Sequence, residues 1–333
     1  MRRILVAIAL LAAVWGGYWF IGATAAETGI RAWLEARRAE GWQADYGQVT
    51  TRGFPGRFDT AITDLVLADP HSGLAWSAPL FQILTRAYRP NHIIAAWPHR
   101  QTLATPYEKI ALTSATMRGS IRFLPDSALT LDALRLDLAD FKATSSAGWS
   151  AQLATGFLAT RRNDALDNGQ DLHFEATGAR PPLRVLALLD PARLLPDRFQ
   201  TLRVDLSAGF DAPWDRYAIE KRRPQLRAVD IGDLRATWGE LDLQAAGKLS
   251  VDAAGIPSGK IALRATNWRH MLQVALDAGW VDRDVSRTVE RALELLAGMS
   301  GNPDTIDTTV HFAGGWVSIG PIPIGRAPRL HLR

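Results

Sequence analysis

The sequence predicts a mainly β chain of the β-rich α+β kind. It should form a long antiparallel curved sheet or two sheet lobes, behind an N-terminal transmembrane helix and with a helical hairpin near the C-terminus. Three observations carry that expectation. Leucine and other apolar residues recur at every second position through much of the chain beyond Trp42. Gly, Pro and Asp turns separate these runs at close spacing, which is the pattern of an antiparallel meander and not of strand–helix–strand units. After Arg3 no charge appears until Glu27.

The N-terminal element comes first. "MRRILVAIALLAAVWGGYWFIGATAAETG" holds about nineteen uncharged, mostly apolar residues from Ile4 to Gly22, or about 28 Å as a helix, enough to cross a bilayer. Arg2 and Arg3 stay on the cytoplasmic side by the positive-inside rule, so the chain after Thr24 is exported. Trp15, Tyr18, Trp19 and Phe20 cluster at the far end, where an aromatic belt meets the outer membrane–water interface. A cleaved signal peptide competes with an anchor, because Ala23-Thr24-Ala25 has the small-x-small form of a cleavage site. The length of the apolar run and the bulky aromatics beside that site favour an uncleaved anchor, and both readings export the remainder. Residues 1–25 are therefore expected to be a signal anchor in the inner membrane, single-pass, with the bulk of the chain periplasmic.

Residues 26–41 read as a membrane-proximal amphipathic helix with Ile30, Trp33 and Leu34 on its apolar side and Gly41 at its end. Such a helix either lies on the membrane or caps the end of a sheet. Residues 42–180 then read as a first β-rich lobe. "ALTLDALRLDLADFKAT" places Leu129 and Leu131 on one face, and Leu134, Leu136 and Leu138 alternate after a one-residue slip of the kind a bulge produces. "WSAQLATGFLAT" puts Trp149, Ala151, Leu153, Thr155 and Phe157 on one side.

"PPLRVLALLDPARLLP" begins and ends on prolines and reads as one or two short helices, so residues 181–200 are a helical connector. Residues 201–333 form a second β-rich lobe. Leu202, Val204 and Leu206 alternate in "TLRVDLSAGF". Leu241 with Leu243, Leu249 with Val251, and Ile261 with Leu263 read as three short strands, broken at Gly247 and around Gly255-Ile256-Pro257. Two helices follow. The first carries Met271, Leu272, Ala275 and Leu276; the second carries Val285, Val289, Ala292, Leu293 and Leu296 and ends at Gly298, with Asp282 to Asp284 between them. "TIDTTVHFAGGWVSIGPIPIG" returns to strand.

Composition excludes several function classes. A chain of 333 residues that is 47% hydrophobic can bury a core as one large domain or two lobes. The net charge of +4 is small and the arginines are dispersed, so no nucleic-acid partner is predicted. The densest cluster, Lys221, Arg222, Arg223 and Arg227, reads as a solvated loop, with contact to lipid headgroups or an acidic partner as the minority alternative. The absence of cysteine removes disulfides, thiolate catalysis and Cys-ligated metal. "GIPSGKI" has three residues between its glycines where a phosphate-binding loop needs four, and Ile261 stands in place of its Ser or Thr.

The local signals for catalysis are equally thin. The seven histidines form no HExxH pair, and His92 and His99 approach each other only if the chain turns between them. Ser150 lacks the closing glycine of a nucleophile elbow, and Asp282/Asp284 and Asp137/Asp140 read as solvated acids. The twelve tryptophans are expected mostly in packing and interface anchoring, with sugar or lipid contact as the alternative. No catalytic residue, cofactor or metal ligand is predicted.

"GFPGRFDTAITDLVLADP", "LFQILTRAYRPNHIIAAWP", "WGELDLQAAGKLSVDAAGIPSGKIAL" and "GWVSIGPIPIG", in that order, resemble a family of alphaproteobacterial envelope proteins known as a domain of unknown function. The resemblance runs from about Trp42 to the C-terminus. The Trp-Gly-strand-Gly-strand pattern and the closing Gly-Pro-Ile-Pro segment are also similar, more diffusely, to AsmA-like periplasmic β proteins. The first family supplies no functional residues to carry over. The second implies a curved sheet on an N-terminal anchor, with an apolar concave side suited to acyl chains and a role in lipid traffic or envelope maintenance.

The expected function is accordingly a membrane-anchored protein that holds or passes lipid-like molecules. Its groove would be lined by Leu129, Leu131, Leu134, Leu136, Leu138, Leu202, Val204, Leu206, Leu241 and Leu243. A closed core lined by the same leucines is the competing structural reading. A scaffold that binds envelope protein partners is the alternative function, and an envelope hydrolase a more distant one.

Overall fold

The computed structural model describes residues 1–279, 286–299, 301–319 and 322–332. The expected Asp282–Asp284 linker and Val285 lie outside the described residues. Every strand pairing among the described residues is antiparallel, and the strands form one long sheet. The chain divides into two compact units, residues 1–123 with 136–148 and residues 124–135 with 149–333.

The first unit starts with α1 (Arg2–Ala39), one unbroken helix where two helical segments were expected. The physical reason is the absence of a breaker. No proline occurs before Pro55, and its glycines, the adjacent Gly16 and Gly17 included, all lie within the helix. It stops where Gly41 takes a φ of +88° and the Trp42 N–H turns back to the Arg37 carbonyl. Its apolar residues from Ile4 to Val14 are exposed, and the helix is long and apolar enough to cross a membrane.

The strands of this unit are β1 (Gln43–Asp45), β2 (Val49–Arg52), β3 (Arg57–Asp69), β4 (Leu74–Arg86), β5 (Arg89–Ala96), β6 (Arg100–Ala104), β7 (Lys109–Thr113), β8 (Thr116–Phe123) and most of β9 (Leu131–Ser145). The C-terminal half of α1 covers one sheet face. Leu34 packs with Ala44, Val49, Ile62 and Leu65 in a buried cluster. A second cluster joins Trp19 and Ala23 of α1 to Ala87 and Phe58. Each fully buried Leu or Ile there stabilises by about 1.5–3 kcal/mol relative to exposure.

The second unit contains β10 (Ser150–Asn163), β11 (Gly169–Ala179), α2 (Leu183–Leu189), β12 (Phe199–Phe210), α3 (Arg216–Glu220), β13 (Leu226–Trp238), β14 (Leu241–Val251), β15 (Pro257–Thr266), α4 (Trp268–Asp277), α5 (Ser286–Met299), β16 (Thr305–Ala313), β17 (Trp316–Ile319) and β18 (Ile322–Arg326). The helical hairpin docks on the sheet through Trp268, Leu272 and Ala297 against Ala265 and Ile306. Its second helix passes through Gly298, the residue expected to end it.

Two local expectations are corrected. Leu129 is not on a strand: it sits before β9 at a φ of +54° and is exposed. The left-handed residue inside β9 is Asp140, beyond the leucine run, at +49°. Gly247 does not break a strand. It lies inside β14 because a Cβ there would meet the Lys260 carbonyl oxygen of β15 at 2.2 Å, so only glycine permits that backbone approach.

Candidate functional site

Register decides which side chains share a face, and in the second unit it sorts them sharply. Leu158, Phe174, Val204, Leu234, Ala245 and Leu263 stand opposite one another in turn across β10 to β15. Beside them runs a second row of Leu172, Leu206, Ile231, Gly247, Ile261 and Val310 across β11 to β16. A third joins Ala176, Leu202, Ala236, Leu243, Ala265 and Ile306. A register shift between Ile231 and Leu234 keeps both on this face.

These three rows form one apolar face spanning six inter-strand steps, or about 29 Å at 4.8 Å per step. The end nearest Ala265 and Ile306 is covered by the helical hairpin, and Ala176 at the other end of the third row is buried as well. Leu158, Leu172, Phe174, Val204, Leu206, Leu234 and Ile261 are half-buried, and none belongs to a buried core cluster among the described residues.

Alternate residues of the same strands are charged. Glu175, Arg203, Arg235 and Arg264 form one row on the opposite face, and Arg161, Asp171, Ser207, Asp230 and Lys248 another. Ion pairs join them to one another and to neighbouring carboxylates: Arg161 with Asp171 at 3.0 Å, Arg203 with Asp205 at 2.8 Å, Arg235 with Asp242 at 2.7 Å and Lys248 with Asp230 at 2.7 Å. Phe157, expected on an apolar side with Leu153, instead lies on this charged face. Its ring is 4.8 Å from the Arg135 guanidinium and 5.4 Å from His173.

The charged face holds a shallow cleft of about 550 Å³ lined by Asp171, His173, Asp205 and Ser207 among others, a set of groups that invites comparison with a hydrolase. Connectivity argues against it. The Ser207 hydroxyl donates to Asp171 at 2.7 Å, while His173 Nδ1 pairs with Asp205. Serine and histidine are thus not joined as nucleophile and base. Burial pushes the Asp171 carboxyl up, but hydrogen bonds from Ser207, Arg161 and Asn163 outweigh it and hold the group below the usual carboxylate range. Among the described residues no three His, Asp or Glu side chains stand close enough to share a metal ion. His99 Nδ1 bonds the Ser114 carbonyl at 3.0 Å, while His92 stands opposite Arg122.

The first unit has a smaller apolar site. Ile30, Trp33 and Leu34 of α1 and Ile62, Leu65, Leu67, Trp76, Phe81 and Ile83 of the sheet enclose a cleft of about 330 Å³ with almost no polar lining. Trp33 is half exposed at its mouth.

Of the residues expected to line a groove, Leu202, Val204, Leu206, Leu241 and Leu243 share the apolar face of the second unit. Leu131 and Leu134 fall in the second unit, Leu136 and Leu138 in the first, all half-buried on β9. Leu129 lies apart in its turn. Sequence reading missed Leu158, Leu172, Phe174, Ile231 and Leu234. The signal was present as alternation, but only strand register shows which neighbours align. Arg2 and Arg3 begin α1, and Trp15, Tyr18 and Trp19 hydrogen-bond to Pro55, Ala87 and Arg57 carbonyls.

Residues 19–328 match the model of a family described as an uncharacterized protein conserved in bacteria (DUF2125), and the chain belongs to that family. No curated protein and no solved structure matches the chain. The AsmA-like comparison has no counterpart among these matches.

Proposed function

We propose that the protein is a membrane-anchored carrier surface for lipid-like molecules. In this reading α1 holds the chain in a bilayer, with Arg2 and Arg3 on the cytoplasmic side and both β units on the periplasmic side. The apolar face of the second unit takes up acyl chains. One observation supports this above the others: the first two apolar rows are half-buried and belong to no buried core cluster among the described residues, while the reverse face carries ion pairs. A closed core would bury those rows against a second layer. Here the hairpin of α4 and α5 covers the end at Ala265 and Ile306, and the first two rows stay half-buried.

The energetics favour exchange over storage. Burying acyl methylenes stabilises by about 0.8 kcal/mol each, so a sixteen-carbon tail gains about 12 kcal/mol on leaving water. The same tail gains almost nothing on leaving a bilayer. A groove of this kind therefore passes lipids on easily, and anchoring keeps it beside the donor. The half-open Trp33 cleft next to α1 supplies a second apolar surface close to the anchor.

The test is direct. The full chain is stripped of lipid in detergent, incubated with phospholipid and weighed by native mass spectrometry. Bound phospholipid is expected; recovery of bare protein alone overturns the reading.

A further inference from the structure

One end of the first unit gathers several cations. Arg57 opens β3 directly opposite Arg86 at the end of β4, and His92 on β5 stands opposite Arg122 on β8. Strand alternation places Arg57, His92, Arg118 and Arg122 on the face away from Phe58 and Ile62, the residues that meet α1. Arg57, Arg86, Tyr88, His92 and Arg118 line a single cleft of about 530 Å³. The carboxylate beside it, Asp59, is paired with Arg57 at 3.1 Å. Arg86, Arg89 and Arg118 have no carboxylate partner among the described residues; Arg86 lies over the Tyr88 ring at 6.0 Å.

His92 reports the local field. Its proton is held less tightly than an ordinary imidazole's, first because of burial and then because Arg122, Arg86 and Arg89 repel it. Several guanidinium groups therefore act on one point. Gathering them costs free energy that an anion would recover.

The cleft also has a fixed height. The Trp15, Tyr18 and Trp19 side chains donate to the carbonyls of Pro55, Ala87 and Arg57 at 2.9, 2.7 and 2.8 Å, so the two sheet turns sit level with the aromatic band of α1. Phe54 and Tyr88 project from those same turns and are more than half exposed, as is Phe20 of the helix. Aromatic side chains of this kind settle among lipid headgroups.

We propose that this basic cleft binds the headgroup phosphate of an anionic phospholipid in the membrane that α1 crosses. The site would make the protein selective for anionic lipid. The inference rests on the anchored reading above but not on the apolar face being the carrier surface.

The experiment titrates the full chain in non-ionic detergent with phosphatidylglycerol and, separately, with phosphatidylcholine, and counts bound lipid by native mass spectrometry. Wild type should bind phosphatidylglycerol more tightly. Each lost arginine should weaken that binding about fivefold, so Arg86→Gln with Arg118→Gln should weaken it about 25-fold and leave phosphatidylcholine unchanged. Arg86→Lys with Arg118→Lys keeps the charge and should retain most of the preference, which separates lost binding from lost folding. Equal binding of the two lipids by wild type overturns the headgroup site and leaves the apolar carrier surface standing. Binding of neither overturns both. Displacement of phosphatidylglycerol by millimolar inorganic phosphate assigns the cleft to free phosphate and overturns the lipid source.

Discussion

The indole N–H of Trp19 donates to the carbonyl oxygen of Arg57 at 2.8 Å, and the indole stacks on the neighbouring Phe58 ring at 6.0 Å. One turn of the apolar helix is thereby tied to the Gly53–Arg57 turn of the sheet. Gly22 makes the approach possible, because a Cβ there would meet the Phe58 ring at 2.6 Å. The Gly-Phe-Pro-Gly turn thus has a structural role, as a clasp on the helix.

Trp19→Ala should therefore destabilise the first unit by about 3–5 kcal/mol, the usual cost of emptying a buried Trp site. Trp19→Phe keeps part of the ring packing and loses the hydrogen bond, which by itself is worth about 1 kcal/mol. Denaturant unfolding of the full chain in detergent checks both. Equal midpoints for wild type and Trp19→Ala would show that the helix is not docked this way.

Val204→Asp separates an open apolar face from a sealed core. On an open face the carboxylate keeps contact with water, so the fold should survive with a modest fall in Tm while lipid uptake drops. In a sealed core an unpaired carboxylate costs several kcal/mol and the chain should unfold. Circular dichroism read together with native mass spectrometry distinguishes the outcomes; full lipid uptake by a folded variant would remove Val204 from the binding surface.

Gly247→Ala should loosen the β14–β15 pairing, since its Cβ would stand 2.2 Å from the Lys260 carbonyl oxygen. Relieving the overlap requires the two backbones to separate, and overpacking of this order costs about 1–3 kcal/mol. Backbone hydrogen exchange at Lys260 and Ile261 should quicken, and unchanged protection there would contradict the close approach.

How much of this was legible in the sequence differs by level. Alternation marked the strand runs because side chains on a strand change face at each residue. It located Leu202, Val204 and Leu206 but could not say that Phe174 and Leu234 flank Val204, which depends on pairings far apart in the chain. Gly247 misled because glycine signals both a break and a close backbone contact. The helix of 38 residues was divided in two because its composition changes at Glu27, although nothing there stops helical hydrogen bonding. The basic cleft was invisible locally: Arg57, Arg86 and Arg118 are about thirty residues apart in sequence and converge only through β3, β4, β5 and β8.

Acid should weaken the second unit through Asp211. Its carboxylate accepts the Gln225 N–H and lies near Arg222 and Arg227, which together hold its proton affinity below the usual carboxylate range. A lowered folded-state pKa stabilises above the unfolded value of about 3.9 and is lost as pH falls through the folded value. Asp211→Asn should reduce the slope of stability against pH in that acid range, and an unchanged slope would remove Asp211 from the acid response.

An unbroken α1 has a mechanical corollary. With no joint between its exposed stretch from Ile4 to Val14 and the part clamped to the sheet, a lean of the rod must swing the strands with it. Bilayer thickness governs how far an apolar rod leans. Thinner and thicker membranes would thus present the first unit at different angles to the lipid surface, making local bilayer thickness a control on its tilt.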